Sequence, residues 1–334
     1  MDAHRVQVVV GGCADRGCVV KSVRSINGLV PWFGGKRAMA SVIVDQLLWR
    51  DGKPWKPGYF CEPFFGSGAV SFAMPKLNAH IVNDLHADLI NLACVLASLR
   101  GGELIERCER TLTSEQVYKH AVKQLESLTK RCKPQTPGMG LLNESHMEWA
   151  WAFVVASWMG PNGQIGMVDA GVRFAKRYGP GGGDPATRMR SITASMPGLM
   201  ERLRRFTIHN EDAIGLLEKI NDTHRTAIYI DSPYLDETRT SGRYLHDFKD
   251  AGGETMFGEP DDHQRLADVL GRFEHARIVV SYEDHPRLDE LYPGWNKMVL
   301  ERHKNTGNTA SANKSVREVL LVNGDVFKKD EEVV

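Results

Sequence analysis

Residues 231–234 read Asp-Ser-Pro-Tyr and close an apolar run, Ala227-Ile228-Tyr229-Ile230. A plain Ser-Pro turn after a strand would account for Ser232 and Pro233 but would leave the carboxylate and the ring without purpose. An exocyclic amine such as adenine N6 is a poor nucleophile, because its lone pair is delocalised into the ring. Acceptors that take its hydrogen bonds pull it towards tetrahedral geometry and aim the lone pair at a methyl donor. The Asp231 carboxylate and the Ser232 backbone carbonyl supply two such acceptors, and Pro233 restricts the turn. The Tyr234 ring offers a stacking face for a base, worth about 1–3 kcal/mol, and its face also suits a methylsulfonium cation.

Three other segments carry polar residues where apolar runs end. In "CEPFFGSGAVSF", Gly66 and Gly68 follow Glu62 and Pro63, and glycines there permit a tight turn and close backbone approach to a ligand. Asp84 in "IVNDL" is placed to bind ribose hydroxyls, or to cap the next helix. Asp212 in "HNEDAIGLL" can accept from an adenine amino group or cap a helix. These residues suit an adenosine-containing ligand without separating NAD from S-adenosylmethionine; "DSPY" favours the methyl donor, since an NAD-dependent oxidoreductase would leave it idle. "WFGGKR" (32–37) is not a P-loop, because position 30 is Val and position 37 is Arg.

The elements that must position these residues follow from periodicity. "GYFCEPF" (58–64), "HIVND" (80–84), "RFTIHNED", "TAIYID", "ARIVVSY", "NKMVLER" and "VREVLLVNG" read as strands. Helical patterns appear in "GAVSFAM", in "LHADLINLACVLASL" (Leu85, Leu89, Leu92, Val95, Leu96 and Leu99), around 114–128 and 147–159, and in "DDHQRLADVLGRF". The last two strands follow each other too closely for a long helix, which predicts an antiparallel pair at the sheet edge. An α/β sheet interrupted by an inserted, mainly helical segment is the simplest architecture.

With 334 residues, 42% apolar and 25% charged, the chain has a globular composition and length for a sizeable core. No apolar run reaches the roughly 18 residues of a membrane span, and the start does not read as a secretory signal, so a cytoplasmic location is expected. Cysteines at 13, 18, 61, 94, 108 and 132 form no C-x-x-C pair; free thiols rather than a zinc site are expected. Formal net charge is zero, yet residues 171–205 hold eight Lys/Arg (173, 176, 177, 188, 190, 202, 204, 205) against Asp184 and Glu201. With the glycine-rich "RYGPGGGDP", this patch suits a phosphate backbone or a solvated face.

Four segments in order, "WFGGKR", "CEPFFGSGAVSF", "VNDLHADLINL" and "IDSPY", resemble the D12 class of N6-adenine DNA methyltransferases. The resemblance spans roughly residues 28–326. "SWMGPNGQIG" followed by "RFAKRYG" looks like the family's join between recognition region and core, and "TASANKSVREVLLVNG" like its closing strand. It implies an α/β, S-adenosylmethionine-dependent methyltransferase (Rossmann-like) sheet with a terminal antiparallel strand pair and an inserted target-recognition segment. The expected organisation is an N-terminal extension (1–27), a cofactor-binding part (28–100), the insertion (101–205), the rest of the catalytic domain (206–326) and a tail (327–334).

Carried over by position, Trp32, Gly34, Gly35 and Lys36 would hold S-adenosylmethionine, with Glu62, Pro63, Phe64, Gly66 and Gly68 lining its methionine portion. Asp84 would bind the ribose and Asp212 the cofactor's adenine, while Asp231, Ser232, Pro233 and Tyr234 would hold the target adenine. Arg173, Lys176, Arg177, Arg188 and Arg190 are the expected DNA contacts, and no metal is required. The implied partner is double-stranded DNA rather than a membrane, with a cognate restriction endonuclease as a second candidate. The expected enzyme is monomeric and works in a bacterial or phage-infected cell. Methylation of RNA or cytosine N4, and a DNA-binding homologue weakened in catalysis, are the alternatives. The sequence departs from the family at Ser232, where the family has proline, so a looser turn is expected.

Overall fold

The computed structural model describes residues 28–32, 34–131, 142–160, 184–235, 260–303 and 315–328. Expectations for Arg173, Lys176, Arg177, the N-terminal extension and most of the glycine-rich turn lie outside them.

One seven-stranded sheet organises the molecule. Its strands are β1 (Tyr59–Glu62), β2 (Ala79–Asn83), β3 (Thr207–His209), β4 (Thr226–Ile230), β5 (Arg277–Glu283), β6 (Asn296–His303) and β7 (Ser315–Val322). The spatial order is β3-β2-β1-β4-β5-β7-β6. The first five strands are parallel, and β7 runs antiparallel between β5 and β6. The expected antiparallel pair is therefore present, but its later strand is the inner one. The mainly parallel sheet with antiparallel strands at one edge is consistent with the expected fold of an S-adenosylmethionine-dependent methyltransferase.

Residue alternation explains how the sheet holds two layers. From β4, Ala227 and Tyr229 face one side with Phe60, Val279 and Leu320, covered by the helices α1 (Ala40–Leu47) and α2 (Ala69–Ala73). Ile228 and Ile230 face the other side with Ile278, Val280 and Leu321. Such two-sided burial is why the central strands read as continuous apolar runs; each fully buried large side chain contributes roughly 1.5–3 kcal/mol.

Among the described residues, the β2-to-β3 crossover carries five helices: α3 (Ala87–Ala97), α4 (Gly101–Glu109), α5 (Glu115–Arg131), α6 (Glu144–Met159) and α7 (Pro185–Leu203). They share a core with Phe65 and Val82 of the sheet region. α6 is apolar nearly all round and central, burying Trp149, Phe153 and Trp158, as expected for a helix with neighbours on every side. Asn143 and His146 form a capping box at its start. Leu85 and Leu99, expected on the apolar face of α3, lie beyond its ends and are exposed, Leu99 at 95%. The C-terminal part of the basic patch is helical, because Asp184 caps α7 by accepting from the Thr187 amide (2.9 Å), with Pro185 in the first turn. Three short or terminal helices, α8 (Ala213–Leu217), α9 (Pro260–Leu270) and α10 (Arg287–Leu291), cover the second sheet face.

Candidate active site

The strand order reverses direction at β1 and β4, which is where an open α/β sheet leaves a crevice at its carboxyl ends. Glu62 ends β1, Asp84 follows β2, Asp212 follows β3 and Asp231 follows β4. Because β7 is antiparallel, its first half reaches the same end of the sheet: Glu318 pairs in register with Glu283, the last residue of β5.

Lys36 is the hub of this end. Its Nζ lies 2.8 Å from Asp231 Oδ1 and 3.0 Å from Glu318 Oε1. It also donates to the Tyr234 hydroxyl (2.7 Å) and to the Gly34 carbonyl (3.0 Å). Four acceptors thus share three N–H groups, and Lys36 is only 4% exposed. Burial alone would lower the ammonium's pKa, but the Asp231 and Glu318 carboxylates outweigh it and raise it, so Lys36 stays charged. The Tyr234 hydroxyl donates in turn to Glu318 Oε1 (2.6 Å). The Gly-Gly-Lys element, expected only at the cofactor, is thereby joined to the Asp-Ser-Pro-Tyr turn.

Asp231 is held by one oxygen. Oδ1 accepts from Lys36 and from Ser281 Oγ (2.9 Å), and Ser281 accepts from the Tyr229 hydroxyl (3.0 Å). Oδ2 takes no hydrogen bond from the described residues. The carboxylate therefore has a fixed orientation and one oxygen still able to accept. Burial raises its pKa, and Lys36 opposes that rise only in part.

Ser232 differs from the expectation of a looser turn. It is buried, and its hydroxyl donates to Tyr282 Oη (3.1 Å), which also meets His263 Nδ1 (3.0 Å) and Tyr292 Oη (3.5 Å). The side chain is tied to β5 and α9 in place of the proline ring's stiffness.

On the cofactor side, Gly66 and Gly68 take left-handed φ values of +46° and +73°. A Cβ on Gly66 would approach the Trp32 ring to 3.2 Å, and one on Gly68 would meet the Phe65 ring at 2.5 Å. Asp84 fastens this loop: Oδ2 accepts from the Gly66 amide (2.7 Å) and Oδ1 from the His86 amide (2.9 Å). Asn83, which sequence reasoning missed, ties three strand ends together through Pro63 O (3.0 Å), Glu211 O (2.9 Å) and Glu211 N (2.9 Å). Glu62 Oε2 accepts from the amide and hydroxyl of Ser71. Burial pushes its carboxyl well above the usual range, and nearby Asp231 and Asp84 add to that. Asp84, Asp231 and Glu318 set three carboxylates against the Lys36 ammonium at this end of the sheet, a balance suited to a cationic sulfonium and ammonium. These residues fit S-adenosylmethionine.

The remaining expected residues divide. Pro63 is buried and Phe64 half-buried beside the crevice, and Gly35 hydrogen-bonds Trp32 O (3.2 Å). Asp212 caps α8 through the Gly215 amide (2.8 Å), which is the helix-cap role. Arg188 is engaged at the end of α6, donating to the carbonyls of Gly160 (2.6 Å) and Ser157 (3.2 Å), whereas Arg190 is exposed on α7. Arg202, another member of the basic patch, donates to Ser71 O (3.0 Å) and Met74 O (2.6 Å). Sequence reasoning also missed Ser281, Tyr282 and Glu318. Their only local signal is polarity within apolar strands.

Residues 32–131 match the family described as D12 class N6 adenine-specific DNA methyltransferase. The resemblance read from the motifs is borne out over that segment. The chain is also similar to the type II methyltransferase M1.LlaDCHI of Lactococcus lactis subsp. cremoris, with 24% identity over 311 residues covering 91% of this chain and 97% of the relative.

Proposed function

We propose that this D12-class chain methylates DNA at N6 of an adenine turned out of the duplex, using S-adenosylmethionine. The family match and the type II methyltransferase relative support DNA methylation. The observation that carries the finer reading is the fixed Asp231 carboxylate, with Oδ1 tied to Lys36 and Ser281 and Oδ2 uncommitted.

S-adenosylmethionine supplies an electrophilic methyl carbon on a sulfonium. The chain's residues do the rest by alignment. Asp231 Oδ2 and the Ser232 carbonyl accept from the amine, aiming its lone pair. The Tyr234 ring, its hydroxyl pinned by Lys36 and Glu318, gives the base a stacking face. Glu62, Asp84 and the Gly66–Gly68 loop hold the donor, and Asp212, which follows β3 at the same end of the sheet and caps α8, is assigned to its adenine. The new N–C bond forms as the C–S bond breaks, and the amine proton passes to solvent. Unstacking the adenine costs a few kcal/mol, offset by phosphate contacts from Arg190 and the basic segment around it. Residues 101–205 serve as the target-recognition segment of a monomeric cytoplasmic enzyme, with a cognate restriction endonuclease as its partner.

The test is transfer of labelled methyl from S-adenosylmethionine to duplex DNA, with product analysis. N6-methyladenine is the expected product; N4-methylcytosine or methylated RNA alone would replace this reading. Asp231→Ala should lower turnover by about 10²–10³-fold or more while cofactor affinity is retained. Substantial residual turnover would remove Asp231 from the chemistry. Binding of DNA without any transfer would favour a homologue weakened at Ser232.

A further inference from the structure

Glu318 lies in the closing strand, outside the residues assigned to the site from the sequence, yet it touches two of the groups that shape it. It is buried, and Oε1 meets Lys36 Nζ at 3.0 Å and the Tyr234 hydroxyl at 2.6 Å. A buried carboxylate is retained only if paired, and this one needs no pairing to Lys36 to neutralise the lysine, since Asp231 already does so at 2.8 Å. One ammonium therefore faces two carboxylates, Asp231 at the end of β4 and Glu318 in β7. The second carboxylate also limits where Lys36 can sit.

We propose that Glu318 is a positioning residue for methyl transfer: acting through Lys36 and the Tyr234 hydroxyl, it fixes the orientation of the Asp231 carboxylate and the Tyr234 ring. The inference rests on the assignment of Asp231 and Tyr234 to the target base. Without Glu318, Lys36 moves towards Asp231 and can cover both of its oxygens, so that Oδ2 is no longer free to accept from an amine. The Tyr234 hydroxyl loses its acceptor at the same time, and the ring loses the anchor that sets its plane. Among the described residues, the groups facing Asp231 are Lys36 before α1, Tyr229 in β4, Ser281 and Tyr282 in β5, Glu318 in β7 and, at longer range, Glu62 in β1. Only Lys36 is cationic among them, so the two partners act on Asp231 with opposite sign.

The experiment compares Glu318→Gln, Glu318→Ala and Lys36→Met in the full chain. Titration of the Asp231 carboxyl carbon by NMR is read in the protein without cofactor or DNA. Removing the Glu318 charge should move the Asp231 midpoint down, and removing Lys36 should move it up. In turnover, Glu318→Ala should lower kcat about 10²-fold with the KM for S-adenosylmethionine nearly unchanged. Glu318→Gln keeps an acceptor for Tyr234 and should recover part of the loss. Midpoints that do not move in opposite directions would overturn the proposal, whether or not the protein methylates adenine. A rise in cofactor KM with kcat intact would overturn it as well, by making Glu318 and Lys36 parts of the donor site. If Glu318→Ala fails to fold, the Glu318→Gln midpoint and kcat decide the matter alone.

Discussion

Ser281 Oγ lies 2.9 Å from Asp231 Oδ1, donating from the middle of β5 to the carboxylate that follows β4. The contact settles which oxygen of Asp231 is occupied, and it draws the Tyr229 hydroxyl into the same chain at 3.0 Å. A carboxylate oriented this way works only when ionised. Burial raises its pKa, with Glu318 contributing and Lys36 opposing. Activity should therefore be present above that raised midpoint and fall as pH falls through it, with the acid limb above the ordinary carboxylate range of about 4. A pH profile of kcat checks this. An acid limb at or below the ordinary value would show that Asp231 is not the group titrating.

Ser232 and Tyr282 should be energetically coupled. Ser232→Ala removes a buried hydrogen bond of 3.1 Å and should lower stability by about 1 kcal/mol. Tyr282→Phe should do slightly more, because His263 and Tyr292 also lose a partner. Chemical denaturation of both single variants and the double variant measures the coupling. Strict additivity would mean that the serine is not what holds the turn.

Gly68→Ala should be poorly tolerated. The residue has φ +73°, and an added Cβ would meet the Phe65 ring at 2.5 Å and the Phe72 ring at 2.8 Å. The conformation alone costs about 1–2 kcal/mol with a side chain, and the rings must also move. Gly34→Ala shares the left-handed φ but meets nothing within 4 Å. Melting temperatures should rank Gly68→Ala well below Gly34→Ala; equal values would contradict the packing argument.

The arginines of the basic segment should separate by readout. Arg190→Ala removes an exposed charge and should reduce the salt dependence of DNA binding by about one phosphate contact. Arg188→Ala should act mainly on stability, since its guanidinium closes the end of α6 at Gly160 and Ser157. Binding isotherms at several salt concentrations, beside denaturation curves, distinguish the two. A stable Arg188→Ala protein with a weakened salt slope would reverse the assignment.

What the amino-acid order determined by itself was local. Two-sided burial makes Thr226–Ile230 and Arg277–Glu283 legible as strands, because each residue's face depends only on its neighbours two positions away. The turn residues after β1, β2 and β4 were legible for the same reason: glycine, proline and aspartate act on the backbone where they stand. The extent of α7 was less so, since a charged helix with a proline inside resembles a solvated loop in composition. Only the tertiary structure decided which polar groups meet. Lys36, Asp231, Ser281 and Glu318 come from four distant segments, and no periodicity relates them. They converge because β1 and β4 are neighbours across a long excursion and because β7 enters the sheet antiparallel between β5 and β6. That reversal of direction carries Glu318 to the carboxyl end of the parallel strands, where a forward-running strand would have left it at the opposite end.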